Sequence, residues 1–174
     1  SRCYSHDWHA SRKTQTGLLL QKASHDIDMI HWITGSYTRR TSAIGKRTFF
    51  GGDKSNDLKC PDCPEKDTCI EYTKHPYRTF CCFRKEVDVE DTSIMMMELE
   101  NGIQETYMQC HFAPDYFRNY TFIGTEGRME NTNDFENFFV LKRTKPEQSE
   151  RKEYKIDLPP GGHGGSDNEI TKDF

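Results

Sequence analysis

The chain of 174 residues lacks any long hydrophobic run. Its longest apolar stretches hold three or four residues, as at 94–97, whereas a membrane-spanning helix needs about 20. The first thirteen residues, SRCYSHDWHASRK, are polar and contain no apolar core of a secretory signal peptide. These absences predict a protein that does not associate with a membrane and resides in the cytoplasm.

The chain also lacks the excess of positive charge that marks nucleic-acid-binding surfaces. Its 24 basic and 28 acidic residues give a formal net charge of −4, so we expect no nucleic-acid partner. Hydrophobic residues at 33% and aromatic residues at 12% provide more apolar surface than disordered chains carry. The length predicts a single domain over residues 1–174. Because the chain begins without methionine and ends in a helix-like pattern, we interpret it as a fragment.

None of the short motifs that mark nucleotide binding or common hydrolases is present. The patterns G-x-S-x-G, H-E-x-x-H, Walker A and G-x-G-x-x-G do not occur. The glycine-rich stretch GGHGG (161–165) does not follow the strand-turn-helix arrangement of a phosphate loop. The sequence therefore gives no support for nucleotide binding by this chain alone.

Residues 17–34 carry the clearest helical pattern. Four apolar residues recur at spacings of three and four, which predicts a buried stripe along one face. They are Leu20, Ala23, Ile27 and Ile30. Gly35 follows, where helices commonly end in a left-handed residue. The pattern predicts one amphipathic helix that stops before this glycine.

The second half of the chain favours strands. Asn101-Gly102 lies between two β-prone runs within 92–112 and predicts a hairpin with a tight turn. Alternating residues on the two strands predict one shared face. They are Met95, Met97 and Leu99 on the first strand, and Met108, Cys110 and Phe112 on the second.

Further strands are predicted along the chain, at 1–10, at 37–50, as a second hairpin within 119–131, and at 153–158. A final helix begins at Ser166 or Asp167, after the loop 159–165. One early helix followed by hairpins favours an α+β domain, with an open, mainly antiparallel β-sheet covered on one face by helices.

A polar insertion at residues 51–82, called here the cysteine insertion, holds a cluster of thiols. Cys60, Cys63 and Cys69 have the spacing of part of a structural zinc site, which needs one more ligand. The candidates for that ligand are His75, Cys81 and Cys82. The alternative is a loop of free thiols, or of disulfides formed after isolation.

The helix at 17–34 also carries a polar face away from its apolar stripe. Gln21, His25, Asp28 and Trp32 follow one another at spacings of four, three and four, so they share this face. Asp28, one turn after His25, can orient the imidazole for acid–base work or for binding a substrate hydroxyl. The alternative is an ordinary exposed His-Asp pair.

Three more side chains are candidates for binding a polar ligand. Trp8 and Arg12 lie in the aromatic and basic stretch 4–13, and His163 lies among flexible glycines just before the last helix. The alternatives are an ordinary strand end for the first two and an ordinary loop for the third.

In their order along the chain, these segments resemble the glucose-fructose oxidoreductase / inositol dehydrogenase (Gfo/Idh/MocA) family. GLLLQKASHDIDMIHWITG is similar to the family's signature helix, and MMMELENGIQETYMQCHF to its hairpin around E-N-G. FIGTEGRMEN resembles its G-T-E-G turn, and GGHGGSDNEITKDF its closing loop and helix. The matches run from about residue 4 to the end.

This resemblance implies a C-terminal domain, like that of glyceraldehyde-3-phosphate dehydrogenase, in an NAD- or NADP-dependent oxidoreductase. It implies a sugar, polyol or related substrate, and an N-terminal Rossmann domain outside this chain that holds most of the cofactor. It implies that His25 is the active-site histidine, which exchanges a proton with the substrate hydroxyl as hydride moves to or from the nicotinamide. A homodimer or homotetramer formed through the exposed sheet face is expected as well.

The sequence departs from the family pattern at one important position. Many family dehydrogenases carry aspartate four residues before the histidine, where this chain has Gln21, and an amide cannot accept a proton as a carboxylate does. Gln21-Lys22 resembles a subgroup reading [EQ]-K-x-x-H, in which Lys22 approaches the substrate. This departure leaves open a catalytically inactive sugar-binding or scaffold module, and Cys60, Cys63 and Cys69 leave open a structural zinc-binding domain.

Overall fold

The computed structural model describes residues 2–131, 136–145, 148, 150–157 and 159–172. It forms two compact units, Ser1–Asp115 and Tyr116–Phe174. The elements of the first unit are two 3₁₀ turns Arg2–His6 and Trp8–Ala10, helix α1 Leu18–Thr34, strand β1 Thr38–Lys46, a 3₁₀ turn Cys60–Asp62, and strands β2 Thr92–Leu99 and β3 Gln104–Cys110. Those of the second are β4 Thr121–Gly124, β5 Gly127–Asn131, β6 Asn137–Lys142, β7 Arg151–Lys155, a 3₁₀ turn Gly162–Gly165 and α2 Ser166–Lys172.

Helix α1 occupies the predicted range and ends at the predicted glycine. Gly35 adopts a φ of 63° and its N–H donates to the carbonyl oxygen of His31, which closes the last turn. At the other end, the buried Glu90 carboxylate accepts a hydrogen bond from the Leu19 N–H at 2.6 Å. It satisfies one of the free N–H groups of the first turn, since the residue before the helix, Gly17, has no side chain to do so.

The buried face of α1 differs from the predicted apolar stripe. Ala23 is buried as expected, and Ile27 and Ile30 are half-buried, but Leu20 is 64% exposed. Asp26 is buried instead, and its Oδ2 accepts a hydrogen bond from the Tyr107 hydroxyl at 3.0 Å. The helix therefore presents a carboxylate to the sheet, because a polar partner on β3 compensates its burial.

The first unit contains an antiparallel sheet of order β1-β2-β3. The predicted hairpin joins β2 to β3, and its turn is closed by the Gly102 N–H, which donates to the Leu99 carbonyl oxygen at 3.0 Å. Gly102 has a φ of 85°, which favours glycine. As predicted, Met95, Met97 and Leu99 are buried on one face of β2.

The predicted face of β3 is wrong, because its side chains alternate in the opposite sense. Met108 is 70% exposed, while Glu105 and Tyr107 are half-buried and Gln109 is buried. Met95 lies opposite Tyr107 and Met97 opposite Glu105 in the register. We call this covered side the inner face of the first sheet, and the side that carries Met108 the outer face.

The segment predicted as a strand at 1–10 forms the two 3₁₀ turns instead. The Asp7 carboxylate accepts a hydrogen bond from the backbone N–H of His9 at 2.9 Å and caps the second turn. Buried Arg84 then fixes the segment, since its guanidinium donates to the carbonyl oxygens of Ser5 at 2.6 Å and Asp7 at 3.0 Å. These side-chain bonds replace the ladder that a strand would have made.

A small hydrophobic cluster lies between this segment and the end of the cysteine insertion. Its buried members are Ala10, Phe50, Cys82 and Val87, and Phe49, Phe83 and Phe112 pack against it. Buried Asp91 orders the chain after β1 by accepting backbone hydrogen bonds from Thr48, Phe49 and Phe50 at 2.7–2.8 Å.

The second unit holds an antiparallel sheet of order β4-β5-β6-β7. The predicted hairpin within 119–131 is present as β4 and β5, and the predicted final helix is α2. The strand expected at 153–158 is found at Arg151–Lys155, and β6 was not predicted. With two antiparallel sheets and two helices among the described residues, the α+β prediction is confirmed, whereas the single-domain boundary stays a prediction.

Candidate functional site

The polar face of α1 lies open to solvent. His25 and Asp28 are exposed, Trp32 is 78% exposed, and Gln21 is half-buried. Among the described residues, His25 makes no hydrogen bond to Asp28, so the orienting role of Asp28 stays a prediction. The imidazole of His25 is therefore accessible on a rigid helix, which suits a group that must meet a substrate from outside this chain.

Beside this face, Lys22 extends toward an aromatic cluster. Its Nζ lies 4.1 Å from the centre of the Tyr4 ring, a cation–π contact. The Tyr4 ring also contacts the rings of His9, at 5.0 Å between centres, and His111, at 5.6 Å. Lys22 is half-buried, so its ammonium group lies between the aromatic cluster and the solvent-exposed face of α1.

Residues of the N-terminal segment form the rest of this aromatic cluster, and contacts among their side chains fix the position of His9. The Asp7 carboxylate bonds to the His9 imidazole, Oδ1 to Nδ1 at 2.6 Å, and to the Arg78 guanidinium, Oδ2 to Nε at 3.2 Å. The Trp8 ring stacks on His9 with 3.7 Å between ring centres, and is mostly exposed. Trp8 therefore offers an open aromatic surface, and its predicted contact with substrate stays a prediction.

Beneath α1, the inner face of β3 presents polar side chains. Glu105, Tyr107 and Gln109 alternate along the strand, and His111 follows at the same spacing. The Tyr107 hydroxyl joins this row to α1, since it bonds to Asp26 at 3.0 Å and to Gln109 Oε1 at 3.1 Å. Most inner residues of β2 are apolar, so this polar row is confined to β3, where it is unusual for a sheet face covered by a helix.

Several buried atoms of this region have unused hydrogen-bonding capacity. Within the described residues, the atoms without a protein hydrogen-bond partner include Gln21 Oε1, Ser93 Oγ, Glu105 Oε1, Gln109 Nε2 and both ring nitrogens of His111. Burial raises the pKa of Glu105 and lowers the pKa of His111 to about 4. The His111 ring is therefore neutral near pH 7, with one donor and one acceptor available to a polar ligand or water.

Arg12 is engaged in the fold. Its guanidinium bonds to the Glu90 carboxylate at 2.5 Å and to the carbonyl oxygens of Thr16 and Asp88, at 2.7 and 3.2 Å. Because Glu90 also caps α1, Arg12 positions the helix, and its predicted substrate contact stays a prediction. The side chain of His163 lies outside the described residues.

The thiols of the cysteine insertion face one small cavity of about 10 Å³. Its lining residues are Cys60, Cys63, Lys66, Cys69, Glu71, Tyr72, Cys81 and Cys82. Burial raises the pKa of the Cys60, Cys81 and Cys82 thiols. Among the described residues, no group of three or more His, Cys, Asp or Glu side chains is arranged to hold a metal ion.

Fold and site together define an α+β domain with an open polar helix face beside a cation–aromatic cluster. The chain belongs to the Gfo/Idh/MocA oxidoreductase family, since the model of that family's C-terminal alpha/beta domain matches residues 2–172. The family resemblance found in the sequence is thereby confirmed. Within the described residues, no helix combines the length and apolar character required to cross a membrane.

One curated relative and several solved structures are similar to the chain. YteT of Bacillus subtilis (strain 168), whose name marks its oxidoreductase activity as unproven, is 26% identical and matches 98% of this chain but 49% of its own length. A levoglucosan dehydrogenase, solved in complex with NADH and levoglucosan, has a TM-score of 0.66 at 15% identity. The structure of an oxidoreductase domain protein from Kribbella flavida has a TM-score of 0.62 at 14% sequence identity.

These solved structures show the fold alone, and the chain covers only part of each. The chain matches 44% of the levoglucosan dehydrogenase and 40% of the Kribbella flavida protein, although 99% and 90% of the chain itself is aligned. It also spans about half the length of YteT. The family domain therefore forms part of larger proteins in these relatives.

Four residues of this region were not predicted as site residues from the sequence: Tyr4, Tyr107, Gln109 and His111. A signal for three of them is present in the sequence, because E-T-Y-M-Q-C-H places polar or aromatic residues at every second position from 105 to 111. The contribution of Tyr4 depends on the 3₁₀ turns of the N-terminal segment and has no comparable periodic signal.

Proposed function

We propose that this chain is the substrate-binding domain of an NAD- or NADP-dependent oxidoreductase that acts on a sugar, a polyol or a related compound. Membership of the oxidoreductase family supports the reaction class. The observation that carries the proposal is the exposed His25 on the open face of α1, beside half-buried Lys22 and Gln21. An N-terminal Rossmann domain outside this chain would hold most of the cofactor, and we place the reaction in the cytoplasm.

In this proposal the bound nicotinamide supplies hydride transfer. His25 holds or accepts the proton of the reacting substrate hydroxyl, and its exposed position on a rigid helix makes it available to that hydroxyl. Gln21 binds a hydroxyl through its amide, which donates and accepts hydrogen bonds but takes no proton. Lys22 adds a positive charge that is already oriented by its contact with Tyr4.

The polar inner face provides a second set of contacts for a polyhydroxylated substrate. Gln109 Nε2 and the His111 ring nitrogens have no partner among the described residues, and sugar hydroxyls can satisfy both donors and acceptors. The levoglucosan dehydrogenase structure, which holds a sugar derivative and NADH on a similar fold, supports this substrate class.

The test is an assay of the whole protein, including the sequence upstream of Ser1. The protein would be supplied with NAD or NADP and a panel of sugars and polyols, and the absorbance of reduced nicotinamide would be followed. We expect turnover of at least one substrate and a preference for one cofactor. Absence of both turnover and cofactor binding in the folded whole protein would contradict the proposal.

Gln21 favours a second candidate function, a sugar-binding or scaffold module without catalysis. The amide stands where many family dehydrogenases carry a carboxylate, so a proton-accepting group is missing from that position. Saturable binding of a sugar by the whole protein, with no change in the nicotinamide, would favour this function over the first.

We also propose that two copies associate through the outer face of the first sheet, as a dimer or within a tetramer. Ile94 on the central strand lies between Ile44 and Met108 in the register, and all three are exposed, together with Met96. A contiguous exposed apolar patch favours burial against a partner, and a two-fold axis lets identical patches cover each other.

A further inference from the structure

The cysteine insertion is ordered without a hydrophobic core of its own. Between residues 51 and 80 the buried side chains are Cys60 and Glu71, while Ile70 and Tyr77 are exposed. Regular structure is also scarce there, limited to a 3₁₀ turn and isolated bridges such as Lys59 with Phe80. A loop of this length needs another source of stability, which in small core-poor segments is a disulfide or a bound metal.

Backbone hydrogen bonds place Cys60 and Cys81 diagonally across two paired segments. The Cys60 N–H donates to the Thr79 carbonyl oxygen at 2.6 Å, and the Cys81 N–H donates to Leu58 at 2.8 Å. The two cysteines therefore lie on neighbouring extended segments, although 20 residues separate them in the chain.

Two turns bring the other cysteines to the same cavity. The Cys63 N–H donates to the Cys60 carbonyl oxygen at 3.2 Å, which folds Cys-x-x-Cys into a tight turn. The Cys69 N–H donates to Glu65 at 3.0 Å, which returns the chain toward it. All four thiols then line the cavity of about 10 Å³, a volume near that of one water-sized sphere.

We propose that Cys60, Cys63, Cys69 and Cys81 together bind one zinc ion that holds the cysteine insertion in its fold. Four thiolates are a common ligand set for a closed structural zinc site. The small cavity favours a single ion over an iron–sulfur cluster. The four side chains do not stand at ligand spacing in the structure, so the proposal requires that zinc binding bring the four sulfur atoms closer together.

The structure also selects the fourth ligand from the three candidates in the sequence. His75 is exposed, accepts a hydrogen bond from the Tyr77 N–H at 3.2 Å, and does not line the cavity. Cys82 lines it but is packed in the hydrophobic cluster with Ala10 and Phe50. Adjacent cysteines do not easily bind the same ion, so only one of Cys81 and Cys82 is expected to be a ligand. Because Cys82 is packed in the hydrophobic cluster, Cys81 is the fourth ligand in this proposal. The site is structural and does not depend on the proposed dehydrogenase activity.

Metal analysis of the full chain, purified under reducing conditions and titrated with zinc, tests the proposal. We expect one zinc per chain, and cobalt(II) in its place should give the absorption bands of tetrahedral thiolate coordination. Less than about a tenth of an equivalent of zinc in the reduced folded protein would overturn the proposal. So would iron with sulfide as the bound species, or a stable disulfide among these cysteines with no metal uptake after reduction.

Matched variants identify the ligands. Cys69→Ser should lose the cobalt bands, while Cys110→Ser, which alters a thiol of β3 outside the cavity, and Cys82→Ala should retain them. Loss of the bands in Cys82→Ala with retention in a Cys81→Ser variant would overturn the assignment of Cys81. If Cys69→Ser fails to fold, removal of zinc from the wild-type chain with a chelator replaces it. Proteolysis within 51–82 should then accelerate roughly tenfold or more, and unchanged cleavage would contradict the structural role.

Discussion

Strand β3 reverses the usual distribution of polarity between the two faces of the first sheet, whereas Met95, Met97 and Leu99 of β2 are buried on the inner face as usual. The outer face carries exposed Ile44, Ile94, Met96 and Met108, whereas the inner face of β3 carries Glu105, Tyr107 and Gln109 under α1. In a sheet that served only to support a core, the apolar side chains would be covered and the polar ones solvated. The exposed apolar residues of the outer face therefore favour contact with another protein surface.

The difference separates two kinds of partner. An apolar outer face gains free energy when another apolar surface removes it from water, which favours a second protein copy. The polar residues of β3 carry buried atoms without a protein partner among the described residues, and hydrogen bonds from water or from a ligand would satisfy them. We propose assembly through the outer face and substrate binding beside α1, and each proposal can be tested separately.

The largest expected effect concerns the outer face. Ile94→Lys places a charge at the centre of the apolar patch, and a two-fold interface contains this change twice. At about 2 kcal/mol for each copy, the dimer should dissociate roughly a thousandfold more readily. Light scattering during size-exclusion chromatography measures the change.

A matched control is Ile123→Lys, on exposed β4 of the second unit, which should leave the assembly unchanged. If the wild-type whole protein is monomeric across micromolar concentrations, the proposed association through the outer face is wrong. Equal effects of the two substitutions would show that Ile94 has no special place in the interface.

The next effect concerns acid stability and the inner face. His111 has its pKa lowered to about 4 by burial, so its folded state stays neutral while the unfolded chain takes up a proton below about 6.5. The unfolded state then binds more protons, and stability falls as pH drops from about 6.5 to 4, by about 3 kcal/mol in total. Urea unfolding over this pH range should show this loss, and His111→Gln should reduce it.

The comparison between His111→Gln and wild type isolates this group from other titrating residues. His6 is also buried with a lowered pKa and contributes a slope of the same sign in both proteins. Identical pH dependence of the unfolding free energy in the two proteins would contradict the buried, neutral state of His111.

The smallest effect concerns the contact between α1 and β3. Tyr107→Phe removes the hydroxyl that bonds to Asp26 at 3.0 Å and to Gln109 at 3.1 Å. We expect a loss of about 1 kcal/mol in the free energy of unfolding, seen as a lower midpoint of thermal unfolding. Tyr37→Phe, on an exposed ring, is the control, and an equal change in both variants would show that the Tyr107 contact contributes nothing.

Much of the fold could be predicted because local signals and tertiary structure agree. Gly35 ends α1, and the glycine of Asn101-Gly102 closes the β2–β3 turn, both by adopting positive φ values. The strand predicted at 1–10 failed because Asp7 caps a 3₁₀ turn and Arg84 binds the carbonyl oxygens that a strand would have paired. That competition depends on a residue almost eighty positions away, which periodicity does not show.

The site could be predicted less completely. Spacing on a helix correctly placed His25 on a polar face, and the family resemblance gave it a role. The face of β3 was assigned wrongly, because Met108, Cys110 and Phe112 were expected to share the face of Met95, Met97 and Leu99. Apolar residues are normally buried, so a strand with exposed Met108 and covered Glu105, Tyr107 and Gln109 defeats this inference.

The central claim is that exposed His25 exchanges a proton with the substrate, and the measurement that tests it most directly is kcat/KM of His25→Asn in the whole protein. The account predicts a loss of about a hundredfold or more, with an unchanged thermal midpoint because the side chain is exposed. Activity within about twofold of wild type, across the pH range where histidine titrates, would contradict the claim.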